Sequence, residues 1–343
     1  MPEGDTIYRA AQTLSKAIGG RLVLRFRSSL PALSAAAPRL EGRRIERVEA
    51  HGKNLLIHFD EGTALHTHMR MTGSWHIYRP GERWQKPERA ARVVIETDAF
   101  VAVCFNAPVV DLIRAADMDH HRTLGRLGPD VLKDDFDADL ARRRLRARPG
   151  VPIAAALLDQ EALAGIGNIY KSEALFLCRV DPLLPVSELP DDVLDRLIHT
   201  SRDLMSRNLD GHPRATRGLP SFRPLQGPRY WVYGRTGKAC LQCGALVRAR
   251  RDITADRIPP PRSGPPAFAG VAGRTTYWCP ACQPPGSKGA GLPPEVETPP
   301  AKPSSPRSTR QLTDPRPAHG EQSSPATRRT RRPPRRPSGS RPG

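Results

Sequence analysis

The sequence predicts a protein of the α+β class with several domains, and three observations lead to this prediction. Apolar residues recur at helical spacing near the start of the chain, and stretches that partly alternate between apolar and polar residues follow them. The middle of the chain returns to helical spacing, and four cysteines in two C-x-x-C pairs come after it. A chain of 343 residues is long enough for two or three domains.

The first predicted element is an amphipathic helix at the start of the chain. Pro2 suits a first helical turn because its missing N–H would have no helical partner there. Glu3 and Asp5 suit the positive end of the helix dipole. The apolar residues whose spacing predicts the buried face are Ile7, Ala11, Leu14 and Ile18. Taken alone, this stretch is explained by ordinary helix packing.

Predicted strands follow the helix. The segment RIERVEAHGKNLLIHF (residues 44–59) partly alternates, a DEG turn occupies residues 60–62, and TALHTHMRMTGSWHIY (residues 63–78) comes next. A second hairpin is predicted from RVVIETD to AFVAVCF, over residues 92–105. The first part of the chain is therefore predicted to be a helix followed by an antiparallel β unit.

Helical spacing dominates the middle of the chain. It extends over residues 135–150, 151–180 and 191–209. The segment GHPRATRGLPSFRPLQGPRYW (residues 211–231) is rich in Gly, Pro and Arg, which predicts a loop.

The charge of the chain favours a polyanionic partner. The formal net charge is +19, and residues 284–343 hold 12 Lys and Arg against 4 Asp and Glu. Because the rest of the chain keeps a clear positive excess, nucleic acid is the predicted partner. No apolar run reaches the roughly 18 residues of a membrane span. The N-terminus lacks the pattern of a signal peptide.

Residues 284–343 are predicted to form a disordered, basic, proline-rich tail. Fifteen of these 60 residues are proline and none is aromatic. Such a composition does not bury enough apolar surface to form a core. Two roles stay open for it: raising nonspecific nucleic-acid affinity through counterion release, or none at all.

The cysteine pairs predict one structural Zn²⁺ ion per chain. Four thiolates complete a tetrahedral site with no open position for water, although two accidental pairs are the alternative. The pairs are 35 residues apart, and the excess length falls on an insertion at residues 258–273. The four predicted ligands are Cys240, Cys243, Cys279 and Cys282. Cys104 and Cys178 are predicted to be buried apolar residues. His66 and His68 share a strand face and, without a third ligand, are predicted to be hydrogen-bonded structural histidines.

The segment LLDQEALAGIGNIYKSEAL (residues 157–175) carries a more specific signal. Two predicted helices meet at a turn that contains Gly165 and Gly167, and Asn168 begins the second helix. Backbone N–H groups at a helix start can bind phosphate, although such a turn taken alone usually reflects packing. The segment closely resembles the helix–two-turn–helix motif of the formamidopyrimidine-DNA glycosylase and endonuclease VIII family.

Five further motifs resemble this family in the same order, so that the resemblance extends over residues 2–283. They are PEG at 2–4, GKNLL at 52–56, HMRMTGSW at 68–75, VYGRTGKAC at 232–240 and GRTTYWCPACQ at 273–283. The resemblance implies an N-terminal catalytic β-sandwich with its leading helix (1–125) and a helix–two-turn–helix DNA-binding domain (126–236). A C-terminal zinc ribbon (237–283) and the disordered tail (284–343) complete the implied architecture, with DNA in the cleft between the halves.

The resemblance also implies a mechanism at the start of the chain. In this family the initiator methionine is removed, and Pro2 then offers a free amine whose attack on a sugar carbon gives an iminium ion. Glu3 is implied as the acid/base group. Lys53, on a strand after Gly52, is implied as the catalytic lysine that contacts phosphate. Without the resemblance, Glu3 would be explained as a partner of the helix dipole, and Lys53 as one of 54 Lys and Arg residues.

Further DNA contacts are implied by the same resemblance. Asn168 and Arg274 correspond to the pair that grips the phosphates flanking the lesion. Met71, with Arg70 beside it, corresponds to the wedge that fills the hole left by a flipped base. A core methionine on a strand is the competing interpretation. Glu173 is implied to stand near the nucleophile, behind the residues that contact DNA.

Two missing features favour the endonuclease VIII branch and oxidised pyrimidines such as thymine glycol. The stretch NAPVVDLIRAADMDHHRTL (residues 106–124) lacks the Arg–Phe pair that supports the wedge in the formamidopyrimidine branch, and the region after the helix–two-turn–helix motif lacks a recognisable capping loop for purine lesions. We therefore expect a bifunctional DNA glycosylase and abasic-site lyase that cuts by β,δ-elimination. It would be a monomer bound to damaged DNA in the bacterial cytoplasm, with no membrane partner. The alternatives are a non-catalytic damaged-DNA-binding protein on the same scaffold and a zinc-ribbon adaptor.

Overall fold

The structure confirms the mixed α+β class. It is a computed structural model that describes residues 2–218, 227–251 and 274–289. The helices are α1 (Gly4–Ile18), α2 (Pro31–Leu40), α3 (Ala138–Arg146), α4 (Ile153–Ala156), α5 (Asn168–Leu177) and α6 (Asp191–Ser206). The strands are β1 (Arg25–Ser28), β2 (Ile45–His51), β3 (Asn54–Phe59), β4 (Thr63–His68), β5 (Ser74–Tyr78), β6 (Ala91–Glu96), β7 (Val101–Phe105), β8 (Val109–Arg114), β9 (Arg248–Arg251) and β10 (Thr275–Trp278). Single 3₁₀ turns lie at Glu88–Ala90, Ala115–Asp117, Leu124–Arg126 and Val186–Glu188.

The leading helix forms with the predicted face inward. Ile7, Ala11, Leu14 and Ile18 are all buried, and α1 packs mainly against β2. Glu3 is the N-cap residue, and its carbonyl oxygen accepts the N–H groups of Thr6 and Ile7 at 2.9 and 3.1 Å. The helix therefore places Glu3 and the residue before it at a defined point on the edge of the sheets.

Two four-stranded antiparallel sheets make up the N-terminal part. One has the order β2-β3-β4-β8 and the other β1-β6-β7-β5. Leu55 and Ile57 of the first sheet share a hydrophobic core with Val93 and Cys104 of the second. Both predicted hairpins are present. The sequence did not predict β1, α2 or β8, because the strands are short and α2 contains two prolines, which obscure helical periodicity.

Two segments that were predicted as strands are broken by turns. Residues 44–59 turn back at Gly52 and Lys53, so Lys53 lies in the β2–β3 turn and not on a strand. Residues 63–78 are interrupted at positions 69–73, between β4 and β5. Gly52 adopts φ +58°, a left-handed conformation that glycine reaches without strain. Both turns lie at the same end of the first sheet, because β3 and β4 pair with Asn54 opposite His68.

The helical part packs α3, α5 and α6 around a buried core. Helix α5 begins at Asn168, as predicted, but the helix before it is much shorter than predicted. Only Ile153–Ala156 is helical there, and residues 157–167 form turns. Gly165 has φ +100°, which a helix does not accommodate.

The C-terminal part contains the β9–β10 hairpin, whose antiparallel pairs run from Thr275–Arg251 to Trp278–Arg248. The insertion predicted at residues 258–273 lies outside the described residues, as does the tail from residue 290. Residues 284–289 were assigned to that tail, yet they pack on the helical part. Asp181 donates its N–H to Ser287 O at 3.0 Å and accepts the N–H of Gly286 at 2.9 Å. The composition predicted the start of the tail too early in the chain, because residues 284–289 include two prolines and two glycines.

Candidate active site

Three glycine-containing motifs of the sequence meet at one junction. The N–H of Gly4 donates to Gly165 O at 2.9 Å, which joins the start of α1 to the turn before α5. A Cβ on Gly52 would lie 3.0 Å from the Cβ of Ala164, so the β2–β3 turn reaches the same place. A Cβ on Gly167 would overlap the Glu3 carboxyl group. The glycines therefore allow three backbone segments to approach more closely than side chains would permit.

Glu3 is fully buried at this junction, against the N-terminus of α5. Its Oε1 accepts the N–H of Ile169 at 2.9 Å, one of the N–H groups that a helix leaves without an internal partner. Burial raises the pKa of Glu3, while the charges of Arg214 and Lys53 act in the opposite direction. A carboxyl group whose pKa is raised toward neutrality can both donate and accept a proton.

Pro2 and Lys53 stand next to this carboxyl group. Pro2 is half-buried and immediately precedes Glu3. Lys53 is also half-buried, and burial lowers its pKa to about 8, against the opposing charge of Glu3. The charge of Arg274 contributes to this lowered pKa. The structure thus brings together Pro2, Glu3 and Lys53, three residues that sequence analysis took from separate motifs.

Asn168 and the C-terminal hairpin make direct contact across the site. Asn168 Nδ2 donates to the carbonyl of Thr275 at 2.8 Å. Lys171, one turn along α5, donates to Asn168 Oδ1 and to Thr276 Oγ1, both at 2.7 Å. Arg274 immediately precedes β10 and therefore lies beside the same contacts. Sequence analysis missed Lys171; a lysine three residues after Asn168, one turn along the same helix, was the available signal.

Asp5 and Arg214 form a second buried group that the sequence did not indicate. The Arg214 guanidinium donates to both Asp5 carboxylate oxygens, and it also donates to Thr6 Oγ1. The Tyr170 hydroxyl donates to Asp5 Oδ2 at 2.9 Å. This network connects α1 and α5 with the loop that follows α6. No spacing rule relates positions 5 and 214.

Met71 lies at the tip of the turn between β4 and β5, with its side chain 62% exposed. The buried methionine of this stretch is Met69, so the core interpretation fits residue 69 and not residue 71. Arg70 beside it has φ +45°, and its N–H donates to His68 Nδ1 at 3.3 Å. Met71 Sδ is 4.0 Å from a guanidinium nitrogen of Arg274. An exposed, unbranched apolar side chain therefore projects on the side of the site that carries Arg274.

Glu173 is fully buried on α5 and anchors a loop. Its carboxylate accepts the N–H groups of Trp231, Val232 and Tyr233 at 2.8, 2.9 and 2.8 Å, together with the hydroxyl of Thr216. Burial raises its pKa, and these four hydrogen bonds act in the opposite direction. Its hydrogen-bond partners therefore belong to the chain that leads into the cysteine hairpin, which gives Glu173 a scaffolding position.

His66 has a third neighbour that the sequence did not reveal. Ligand atoms of His66, Asp111 and His121 lie within 4.8 Å of one another. Asn54 Oδ1 lies 2.9 Å from His66 Nε2, so that nitrogen carries the proton and Nδ1 keeps a lone pair. His121 Nδ1 accepts the N–H of Leu124 at 3.2 Å, so its proton sits on Nε2. One N–H donor therefore faces two acceptors, and His66 Nδ1 has no hydrogen-bond partner among the described residues.

The four cysteine sulfurs come together at the β9–β10 hairpin, within 4.8 Å of one another. The Sγ atoms of Cys240 and Cys282 are 3.9 Å apart, and those of Cys243 and Cys279 are 3.5 Å apart. A tetrahedral Zn²⁺ ion with Zn–S bonds of about 2.3 Å requires sulfur–sulfur distances of about 3.8 Å. The donor set therefore fits a closed structural zinc site. Cys104 and Cys178 are buried elsewhere, as expected.

Comparison with known proteins identifies the family. Residues 1–109 match the formamidopyrimidine-DNA glycosylase N-terminal domain, and residues 127–217 match the formamidopyrimidine-DNA glycosylase H2TH domain. The chain is 41% identical over 284 residues to a probable endonuclease 8 2 of Streptomyces coelicolor, covering 82% of this chain and 94% of the relative. The chain belongs to the formamidopyrimidine-DNA glycosylase family. The endonuclease 8 name of this relative agrees with the expected branch.

Other members of the formamidopyrimidine-DNA glycosylase family are similar over the same length. A protein of Mycolicibacterium smegmatis named DNA-(apurinic or apyrimidinic site) lyase Nei2 is 33% identical over 82% of this chain and 99% of its own. The Lactococcus lactis formamidopyrimidine-DNA glycosylase, solved non-covalently bound to DNA containing an abasic site, superposes with a TM-score of 0.65. That structure is 22% identical and covers 82% of this chain and all of its own, which shows a shared fold. In the described ranges, no helix combines the length and apolarity needed to span a bilayer.

Proposed function

We propose that this family member is a bifunctional DNA glycosylase and abasic-site lyase that removes oxidised bases, with oxidised pyrimidines preferred. The observation that carries the proposal is the buried Glu3 carboxyl, which follows Pro2, accepts a backbone N–H at the N-terminus of α5 and interacts electrostatically with Lys53. The relatives named endonuclease 8 and DNA-(apurinic or apyrimidinic site) lyase support it. The lesion preference rests on the endonuclease 8 names and on the features missing from the sequence.

The first step forms a bond between Pro2 and the sugar. Removal of Met1 leaves a secondary amine at the chain start; an α-amino group has a lower pKa than a lysine side chain, so more of it is uncharged at neutral pH. Its lone pair attacks C1′ of the damaged nucleotide as the C1′–N glycosidic bond breaks, and the base leaves with the bonding electrons and takes up the proton that the amine nitrogen loses. Glu3 donates a proton to the sugar ring oxygen, the ring opens, and an iminium ion joins Pro2 to C1′.

The second step breaks the strand. The iminium ion withdraws electrons, so a proton leaves C2′ and the 3′ phosphate departs with the C3′–O electrons (β-elimination). Loss of a further proton from the conjugated chain then expels the 5′ phosphate (δ-elimination), and water hydrolyses the iminium ion to free Pro2. Glu3 is the group placed to carry these protons. Lys53, Asn168 and Arg274 hold the phosphates while this happens.

The base must leave the helix before any of this chemistry occurs. Met71, exposed at its turn with Arg70 beside it, is proposed to enter the duplex and occupy the space of the flipped nucleotide. The four cysteines are proposed to hold one Zn²⁺ ion, which stabilises the hairpin that presents Arg274 and has no part in the reaction. Glu173 is proposed to hold the loop at residues 231–233 in support of that hairpin.

Borohydride trapping on a duplex with an abasic site tests the proposal. The processed chain should form a covalent adduct, and mass spectrometry should locate it on Pro2. Glu3→Gln and a chain extended by an uncleaved residue ahead of Pro2 should each lose the adduct while still binding the duplex. Tight binding by the unaltered chain without any adduct would establish the alternative, a non-catalytic damaged-DNA-binding protein.

A further inference from the structure

We propose that Lys171 is a positioning residue that fixes the orientation of the Asn168 side-chain amide and couples it to the hairpin carrying Arg274. The inference rests on the proposed function, because it concerns how that site holds the phosphates of DNA. Lys171 is completely buried, and sequence analysis assigned it no role. A buried lysine requires hydrogen-bond partners, and the identity of these partners indicates what it does.

The contacts of Lys171 determine which way the Asn168 amide faces. In its ammonium form Lys171 has donors only, so the Asn168 atom 2.7 Å from Nζ is then the oxygen. The nitrogen edge of the amide then faces the hairpin, where it donates to Thr275 O at 2.8 Å. An amide in the reverse orientation would place its NH₂ group against the ammonium and its oxygen against the carbonyl. It would also offer an acceptor to a phosphate, which has no proton to donate.

The second contact of Lys171 reaches the strand that follows Arg274. Nζ donates to Thr276 Oγ1 at 2.7 Å, and Thr276 is two residues from Arg274 on the same hairpin. One ammonium group therefore connects the two residues proposed to hold the phosphates, although they come from elements about 100 residues apart in sequence. Without Lys171, the Asn168 amide would lose a contact that sets its orientation. The distance between this amide and the hairpin would also be less well fixed.

The charge of Lys171 responds to what occupies the site. Burial lowers its pKa to about 7, Glu3 raises it, and Arg274 lowers it. A DNA phosphate beside Asn168 adds negative charge and favours the ammonium form. Binding should therefore take up protons when the pH is above about 7.

A double-mutant cycle on Lys171 and Asn168 tests the inference. The readout is the dissociation constant for a duplex that carries an uncleavable tetrahydrofuran abasic analogue. Lys171→Met should weaken binding about tenfold, since hydrogen bonds to charged groups contribute more than neutral ones. The same substitution in an Asn168→Ala background should weaken it by less than about twofold, because the amide to be oriented is gone. Lys171→Arg should restore part of the affinity.

Three measurements separate this role from a general loss of folding. Thermal denaturation identifies a misfolded variant, and Thr276→Val, which removes only one contact, then takes the place of Lys171→Met. Lys16→Met on the exposed face of α1 is the control for removing a cation. Binding titrations in buffers of different ionisation enthalpy should show that Lys171→Met reduces proton uptake at pH 8.

The results that overturn the inference differ from those that overturn the proposed function. Equal losses from Lys171→Met with and without Asn168, or an unchanged dissociation constant in a folded variant, show that Lys171 does not orient the amide. Borohydride trapping by the unaltered chain shows separately whether the proposed function holds.

Discussion

The Asp5 carboxylate and the Arg214 guanidinium form a two-contact ion pair that connects the leading helix to the loop after α6. Nε of Arg214 is 2.7 Å from Asp5 Oδ2, and the side chains are 10% and 0% exposed. Tyr170 donates its hydroxyl to the same carboxylate oxygen, and the guanidinium lies 5.4 Å from the centre of its ring. Because Asp5 is two residues from Glu3, this pair holds the chain next to the proposed acid/base carboxyl, and both of its charges act on the pKa of Glu3.

Asp5→Asn should destabilise the fold. The substitution leaves the Arg214 charge buried without its counter-ion, and breaking a buried pair in this way costs about 3 kcal/mol. The free energy of unfolding from urea titration measures the effect. Asp203→Asn, which breaks an exposed pair with Arg207 one turn along α6, is the matched control and should cost less than about 0.5 kcal/mol. Equal losses from the two substitutions would contradict the prediction.

The pH dependence of DNA binding should contain a contribution from Lys53. Its pKa is about 8 in the free protein, and a bound phosphate raises it by favouring the charged form. Binding then requires proton uptake at high pH, so affinity for the uncleavable abasic duplex should fall as the pH rises through 8. Lys53→Arg keeps its charge throughout and should flatten this alkaline decline.

The control for this experiment is Lys16→Arg, an exposed substitution on α1 that should leave the pH profile unchanged. The comparison isolates Lys53 from Lys171, because both chains retain Lys171. Superimposable profiles for Lys53→Arg and the unaltered chain would show that Lys53 does not contact phosphate as a titrating group.

The sequence predicted those parts of the site that depend on backbone geometry. Gly4, Gly52, Gly165 and Gly167 stand in three short motifs, and the structure explains them together, since the first three lie where backbone segments meet and Gly167 lies against the Glu3 carboxyl group. Glycine leaves a recognisable signal because few other residues tolerate such contacts. Asn168 was likewise predictable as a helix start, because the residues before it cannot continue a helix.

The parts that could not be predicted depend on long-range side-chain pairing. Arg214 was one of many arginines in a loop, and only the folded chain brings it to Asp5. Lys171 sits in a segment that otherwise looks like helix core, where the expected residue is apolar. Asp111 and His121 come close to His66 from two other segments of the chain. Because the sequence does not show such contacts, His66 and His68 were predicted to have no third neighbour. Spacing rules describe neighbours within one element and say nothing of these contacts.

Met71→Ala should separate base removal from strand cleavage. The side chain is 62% exposed, so the free energy of unfolding should change by less than about 0.5 kcal/mol. Release of an oxidised pyrimidine from duplex DNA should slow about tenfold, because the wedge no longer offsets the unstacking of the flipped base. Single-turnover cleavage at a preformed abasic site should change much less. Met71→Leu keeps the apolar bulk and should behave as the unaltered chain, whereas equal slowing on both substrates would contradict a wedge role.

Removal of the proposed Zn²⁺ ion should weaken DNA binding without unfolding the N-terminal sheets. Metal analysis should give one zinc per chain, and Cys243→Ser should lower this value, while Cys178→Ala, at a buried cysteine outside the cluster, should not. Without the ion the β9–β10 hairpin loses its cross-link, and Arg274 is no longer held beside Asn168. Affinity for the abasic duplex should then fall at least about tenfold, the scale of losing a charge-assisted contact.

Hydrogen exchange should show new opening in residues 238–251 and 274–283, with β3 and β7 still protected, since their core residues belong to a separate hydrophobic cluster. Full affinity in a zinc-free chain would mean that the cysteine hairpin does not position Arg274.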